Sequence, residues 1–223
     1  MISVIIPCWN EAAVIETTIA SARLIADEVI VVDSESLDGT AALARRAGAT
    51  VIQAARGRGA QLAAGAVASR GDTLLFLHAD AQLPSSARRA IERALSDPTI
   101  GGGNFKLRFE PADPWARVFA RFNHERRRWL RIYYGDSGLF VRRTVYEQIG
   151  GFRPLPIMED YDFVRRLERA IRTVYITDLE ITASARRFAA RPLRTLTIWT
   201  VIQTLASSGV SPHRLARLYA DIR

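Results

Sequence analysis

The chain has 223 residues, ordinary apolar and charged content, one cysteine (Cys8) and a formal net charge of +8. That length suits one large domain burying ~70% of its unfolded surface, and a lone cysteine excludes an internal disulfide or a cysteine metal cluster. A reducing compartment, the cytoplasm, is the expected setting. Met1–Pro7 enters a strand pattern without the charged start and small-residue cleavage site of a secretory signal.

Ile2–Ile6 reads as a short, buried, parallel-type strand. Asn10-Glu11 then opens a helical pattern to about Ala26, with Asn10 as its N-cap. Val29–Val32 is a second buried strand ending at Asp33, and the polar loop Ser34–Thr40 leads into a helix reaching about Gly48. Thr50–Ile52 is a third strand, followed by the glycine-rich turn Arg56-Gly57-Arg58-Gly59 and a helix through Ala68. Thr73–Leu77 is a fourth, ending at His78-Ala79-Asp80, and Leu83-Pro84-Ser85 starts the next helix. Strands alternating with ~10–15-residue helices predict an α/β fold with a mainly parallel sheet and right-handed crossovers.

The second half is less regular. Gly102–Phe109 reads as a strand, Asp113–Arg131 as a helix, Ser137–Val141 as a strand and Thr144–Ile149 as a short helix. Gly150-Gly151-Phe152 is a stop and turn. Met158–Arg172 reads as a helix with Glu159, Asp160 and Asp162 in its first turn, where acids suit the helix dipole. The arginines of His124–Arg131 point around a helix, so this run reads as a solvated face or a contact for an acceptor or lipid phosphate. No nucleic-acid partner is expected.

Ligands of parallel α/β sheets sit at the carboxyl ends of the strands. Here those ends deliver Asn10 and Glu11, Asp33, and Asp80. Helix capping is an equal reading for Asn10, Ser36 and Asp38. It is a weaker one for Asp33 and Asp80, which end apolar strands before a cap is needed.

Taken in order, these pieces resemble the family 2 glycosyltransferases of the GT-A fold over about residues 1–185. Val4-Ile5-Ile6-Pro7-Cys8-Trp9-Asn10-Glu11 resembles that family's opening strand and nucleotide loop. Val31–Thr40 is similar to its second motif, which implies base recognition by Asp33. Leu75-Phe76-Leu77-His78-Ala79-Asp80 stands in the place of the metal-binding Asp-x-Asp. Gly150-Gly151-Phe152 with Met158-Glu159-Asp160 looks like the turn and acid pair that carries the catalytic base. A narrower resemblance is to the bacterial radical-SAM/selenodomain-associated transferase 2 subgroup. It rests on His78-Ala79-Asp80 with Leu83-Pro84, Tyr134–Phe140, Ser184-Ala185-Arg186-Arg187 and the Gly209–Tyr219 tail. Some related sequences are associated with glycosylating carotenoid acids.

The resemblance implies an enzyme that moves a sugar from a nucleotide-diphosphate donor, expected to be a UDP-sugar, to an acceptor hydroxyl with inversion. A hard divalent cation (Mg2+ or Mn2+) stabilises the leaving diphosphate in such chemistry. Asp80 is its expected ligand, with the Gln82 amide oxygen two positions on. Pro7, Asn10, Glu11, Asp33 and His78 join Asp80 around the nucleotide sugar, and Arg56 and Arg58 reach for the diphosphate. Asp160 is the expected general base with Glu159 beside it. Gly135, Asp136 and Ser137 are the expected acceptor contacts. His78 departs from the family pattern, standing where the first aspartate is usual. It reads as a contact to ribose or metal, or as a strand-end residue bonded to backbone.

The basic charge belongs to the end of the chain: after Glu180 the only acid is Asp221, against seven arginines from Arg186 to Arg223. Residues 186–223 therefore read as a basic amphipathic helical extension of a domain at 1–185. Leu193, Leu196, Trp199, Ile202 and Leu205 fall near one face. Three placements stay open: on the domain itself, on a partner in a homodimer, or on the inner face of the cell membrane near a lipid, carotenoid-like or saccharide acceptor. Two other functions compete. A nucleotidyltransferase would want a lysine-bearing glycine loop after the first strand, and Lys106 is the only lysine. A non-catalytic relic that binds nucleotide or a membrane surface would not need Asp33, Asp80 and Asp160 together.

Overall fold

A computed structural model describes residues 1–222, with side chains through Tyr219. Asp221 and Arg223, which contribute to the charge of the tail, lie outside the described side chains. The first half runs β1 (Ile2–Cys8), α1 (Ile15–Arg23), β2 (Glu28–Asp33), α2 (Thr40–Arg46), β3 (Thr50–Gln53), α3 (Arg58–Ala68) and β4 (Thr73–Phe76). Then come β5 (Ala81–Gln82), α4 (Ala87–Leu95), β6 (Ile100–Glu110) and α5 (Pro114–Leu130), followed by a 3-10 turn (Gly135–Ser137). Next are β7 (Leu139–Arg142), α6 (Arg143–Gln148), α7 (Glu159–Ala170) and β8 (Arg172–Ser184). The tail is α8 (Arg186–Ala189), α9 (Pro192–Ser207) and α10 (Pro212–Ile222).

Among the described residues eight strands form one sheet in the order β3-β2-β1-β4-β7-β6-β8-β5. β1 is parallel to β2 and β4, β2 to β3, and β6 to β8, while β7 and β5 pair antiparallel with their neighbours. The mainly parallel α/β sheet expected from the sequence is present. Its parallel half places β2 on one side of β1 and β4 on the other. The crossovers therefore reverse direction at β1, which opens a crevice beyond the carboxyl ends of β1 and β4.

β1 is buried along its whole length because it is covered on both faces. Val4, Ile6 and Cys8 pack with Ile15 and Ile19 of α1 and, further along the same face, Phe119 and Phe188. Ile5 turns to the other face with Leu62 and Ala66 of α3 and Phe163 of α7. Gly65 lets α3 sit this close: a Cβ there would lie 2.4 Å from Ile5 Cγ2. Pro7 is tolerated inside the strand for a local reason. Residues 5 and 7 face β4, and the β4 ladder ends at Ile5, where Leu77 N donates to Ile5 O at 3.0 Å. The missing N–H of Pro7 therefore leaves no ladder bond unmade.

Three expectations need correction. Asn10 does not cap α1, which starts five residues later behind Val14 with no side-chain cap. The helix expected to run to Arg172 stops at Ala170, and β8 begins at Arg172. β8 is 13 residues long and was not legible, because Asp178 and Glu180 interrupt its apolar alternation where its register against β6 slips. The arginine run of α5 is not wholly solvated. Arg126 and Arg127 are buried, and Arg127 donates to Asn104 Oδ1 (2.7 Å) and pairs with Glu168 (3.2 Å).

The tail lies on its own domain. Phe188 stacks on Phe119 with centroids 4.1 Å apart, and Trp199 meets the same ring edge-on at 5.5 Å. Ile202 and Leu215 are buried. Tyr134 donates to Gln203, and the hydroxyls of Tyr161 and Ser207 are 3.0 Å apart. The apolar face of α9 is thus turned largely inward.

Candidate active site

The loops after β1 and β2 are laced to each other. Asn10 sits in left-handed backbone conformation (φ 54°), its N–H donating to Ser36 Oγ and its Oδ1 accepting from Leu37 N, both at 2.9 Å. Glu11 N donates to Thr40 Oγ1 (2.8 Å) and Ala12 N to Asp38 Oδ2 (2.9 Å). Asn10 and Ser36 are therefore loop clasps rather than helix caps, while Asp38 does both, its Oδ1 also accepting from Thr40 N at the start of α2 (3.1 Å). Asp33 is buried, and its oxygens accept from Ser36 N (3.1 Å), Ser36 Oγ, Gln53 Nε2 (3.1 Å) and Cys8 Sγ (3.4 Å). Burial pushes its carboxyl up, but the bonds from Ser36, Gln53 and Cys8 prevail and hold it below the usual range. The same surroundings push the Cys8 thiol up, chiefly by burial and then by Asp33, so Cys8 is no nucleophile. At the mouth of the crevice Arg56 stacks on the exposed Trp9 ring, its guanidinium carbon 3.7 Å from the centroid.

Deeper in, one arginine gathers three groups. Arg58 Nε bonds Glu159, Nη2 pairs with Asp160 Oδ2 at 3.1 Å, and Nη1 lies 3.3 Å from His78 Nε2. Gly59 permits this approach: a Cβ there would fall 2.2 Å from the Arg153 carbonyl oxygen, against the turn that leads into α7. An arginine only donates, so His78 Nε2 accepts and its ring is neutral. Burial, and then Arg58, Arg187 and Arg186, hold its pKa well below the usual histidine value. Both carboxylates are buried at 3% and 1% residue exposure, which makes Arg58 essential to them. Burial with Asp160 alongside raises the Glu159 carboxyl despite Arg58.

Asp160 is asymmetric. Its Oδ2 also accepts from Gly135 N at 3.1 Å, whereas Oδ1 is buried with no hydrogen-bond partner among the described residues. Gly135 belongs to the 3-10 turn, and beside that turn a small cleft is lined by polar side chains (Asn104, Asp136, Ser137) and apolar ones (Phe105, Leu107) alike. Ser137 is buried and fixed, donating to Tyr134 O (2.7 Å) and accepting from Asn104 Nδ2 (3.1 Å). Asp136 has no hydrogen bond or ion pair among the described residues, and burial followed by Asp160 raises its carboxyl.

Asp80 lies in a second cluster. Its Oδ2 is 3.1 Å from Arg186 Nη2 and 3.9 Å from Arg187 Nε, and the same Arg186 Nη2 is 2.6 Å from Glu11 Oε2.

Residues 3–155 match the model of the family described as Glycosyl transferase family 2. The chain belongs to that family. Two proteins named as uncharacterized glycosyltransferases are similar to parts of it. One, from Rickettsia bellii, is 41% identical over 92 residues (41% of this chain, 31% of that one). The other, from Rickettsia felis, is 57% identical over 51 residues (23% and 18%). The chain thus matches about a third or less of the length of these relatives. Among solved structures, the mannosyltransferase PcManGT from Pyrobaculum calidifontis, in complex with GDP-Man and Mn2+, superposes with TM-score 0.70 at 22% identity. That match covers 98% of this chain and 68% of the other. Glucosyl-3-phosphoglycerate synthase from Mycobacterium tuberculosis, in complex with Mn2+, UDP and phosphoglyceric acid, gives 0.66 at 21% identity, covering 94% and 79%. These likenesses establish the fold, a GT-A fold.

Within this family 2 framework the sequence-derived residues divide. Asn10, Glu11 and Asp33 stand at the ends of β1 and β2, and Asp80 beyond β4, as expected. Arg58 turns from the diphosphate side to Glu159, Asp160 and His78. His78 Nε2 meets Arg58 Nη1 at 3.3 Å rather than a backbone group. Gln82 pairs with Thr182 in β5, and its exposed side chain bonds none of the site residues. Sequence reasoning missed Trp9, Gln53 and the pairing of Arg186 with Glu11 and Asp80. The Ser-Ala-Arg-Arg run at the end of β8 is the only sequence signal for the last.

Proposed function

We propose that this family 2 enzyme transfers a sugar from a nucleotide diphosphate donor to an acceptor hydroxyl with inversion, using Asp160 as general base. The observation that carries this is the unpartnered Asp160 Oδ1. A buried carboxylate oxygen without a partner is costly. This one is held in place through Oδ2 by Arg58 and by Gly135, the first residue of the 3-10 turn whose Asp136 and Ser137 line a small cleft. An acceptor hydroxyl donating to Oδ1 is poised to lose its proton there as the anomeric carbon is attacked.

The donor side fits a divalent ion that arrives with the nucleotide. Among the described residues no group of three His, Cys, Asp or Glu could hold a metal alone. Mg2+ and Mn2+ in such sites use one or two carboxylates, substrate phosphates and water. Asp80 supplies one carboxylate, and its Oδ1 has no hydrogen bond among the described residues. When bound, the ion offsets the charge that develops on the leaving diphosphate. We propose UDP as the nucleotide, as in the mycobacterial complex, with GDP as the control because the Pyrobaculum enzyme is in complex with GDP-Man. No helix among the described residues is long and apolar enough to cross a membrane. A peripheral membrane position for the enzyme rests on the basic tail alone.

The test is Asp160→Asn, assayed with a panel of nucleotide sugars and saccharides by product mass spectrometry. Turnover is expected to fall by about 10²–10⁴ with donor affinity within a few fold. Unchanged turnover removes Asp160 as base, and equal loss of donor binding assigns it to the donor instead.

A further inference from the structure

We propose that Arg186 is a tethered cation of the donor site, holding Glu11 and Asp80 in the position a divalent ion needs and yielding them to it. Its own charge then passes to the donor's diphosphate. The inference rests on the reading of Asp80 as the metal's carboxylate, and it adds a donor-binding residue from the tail.

The geometry carries the first half. One nitrogen, Arg186 Nη2, lies 2.6 Å from Glu11 Oε2 and 3.1 Å from Asp80 Oδ2, while Nε lies 3.2 Å from Asp80 Oδ2. The side chains of Asp80 and Glu11 are only 5% and 16% exposed. Two carboxylates so close and so shielded repel each other strongly without a cation between them. A divalent ion ligated by Asp80 at ~2.1 Å would occupy the same narrow space and repel the guanidinium. Ion and arginine therefore compete.

The surroundings carry the second half. The Arg186 side chain is 42% exposed on the open side of the cluster, and its Nη1 has no hydrogen bond among the described residues. Arg58, by contrast, has every guanidinium nitrogen committed to a protein group. The Arg186 backbone is anchored two residues away by Phe188 between Phe109 and Phe119, so the exchange needs only a side-chain swing. An ion held by Asp80 would draw the donor's phosphates to this side of the crevice, where the displaced Arg186 fork could meet them. A planar guanidinium matches phosphate oxygens in bidentate fashion. Arg187, 3.9 Å from the same Asp80 oxygen, strengthens the cationic field on that side.

The experiment titrates Mn2+ alone, by calorimetry or paramagnetic resonance, into the full chain, Arg186→Met, Arg186→Lys and Asp80→Ala. UDP is then titrated at saturating Mn2+. Arg186→Met should bind Mn2+ alone about tenfold more tightly and UDP about tenfold more weakly. Arg186→Lys should move both affinities the same ways by a few fold, and it keeps the tail's charge if the methionine variant folds poorly. A purely structural arginine would not move two affinities in opposite directions. Unchanged or weaker Mn2+ binding in both arginine variants, or unchanged UDP binding, overturns the proposal. Asp80→Ala separates the two levels: if it binds UDP and Mn2+ like the parent, the metal reading itself fails. If it loses them while the arginine variants match the parent, only the role of Arg186 fails.

Discussion

Two pairs of carboxylates face the crevice, and each is held by an arginine far away in sequence. Glu159 and Asp160 share Arg58, from the start of α3, and His78 fills the remaining side of that guanidinium. Glu11 and Asp80 share Arg186, whose Nη1 has no hydrogen bond among the described residues. The first assembly is closed and leaves one buried oxygen of Asp160 without a hydrogen-bond partner among the described residues. The second is open and can trade its cation. A base must be positioned before the acceptor arrives, whereas a metal-diphosphate site must exchange charge every cycle. On the proposed roles, the difference in guanidinium coordination follows that difference in task.

The comparison breaks most severely at Arg58. Arg58→Met leaves two buried acids without their cation, which costs about 3–5 kcal/mol when one partner of a buried pair is removed. We expect a large drop in chemical-denaturation midpoint and loss of turnover together. Arg186→Met should lower stability by less than Arg58→Met, because Arg186 is itself 42% exposed and water can reach the acids it leaves, although Asp80 and Glu11 are shielded at 5% and 16%. Equal destabilisation by the two changes would show that the pairs are not distinct in kind.

A smaller effect is expected at Asp136, through pH. Its folded-state pKa is raised, by burial first and then Asp160. Below the ordinary aspartate pKa both states carry the proton, and Asp136 makes no pH-dependent contribution. As pH rises above that value the unfolded chain releases its proton while the folded one retains it, so stability falls. The fall ends above the raised folded pKa. Asp136→Asn should therefore gain stability relative to the parent from mildly acidic pH upward and match it at low pH. Melting curves across pH check this, and a variant that loses stability at neutral pH would mean that Asp136 has a favourable charged partner.

The parallel half of the fold was legible because strands covered on both faces are written as apolar runs such as Val4–Ile6 and Val29–Val32. Strand-end acids followed from the topology of such sheets. β8 was hidden because Asp178 and Glu180 sit in a strand whose register slips there. The Arg186 contacts were hidden for a different reason: its partners are 106 and 175 residues away. Arg58 was visible as a cation beside a glycine turn, but its direction depends on Gly59 meeting the turn before α7, which no local pattern encodes. Asn10 was misjudged as a cap because an asparagine before a helical pattern looks the same whether it bonds forward or across to the next loop.

The smallest effect concerns the tail. Leu196, Trp199 and Ile202 pack against the domain, which leaves Leu193 and Val201 as the exposed large apolar side chains of α9. Insertion energy is therefore modest, and attraction to an anionic surface must come from arginines such as Arg191, Arg214 and Arg217, all exposed. Each contributes about 1 kcal/mol near an anionic leaflet, falling off within a Debye length of ~8 Å at physiological salt. The expected result is weak flotation with anionic vesicles at low salt, none with neutral vesicles, and loss in high salt. Reversing the three charges to glutamate should abolish flotation while leaving UDP binding unchanged, since none of the three contacts the donor cluster. If the parent floats equally with neutral vesicles, apolar insertion carries the attachment and the inward packing of Trp199 must open. If it floats with neither, the tail serves the active site alone, through Arg186 at the donor end and through Gln203 and Ser207 against Tyr134 and Tyr161 at the other.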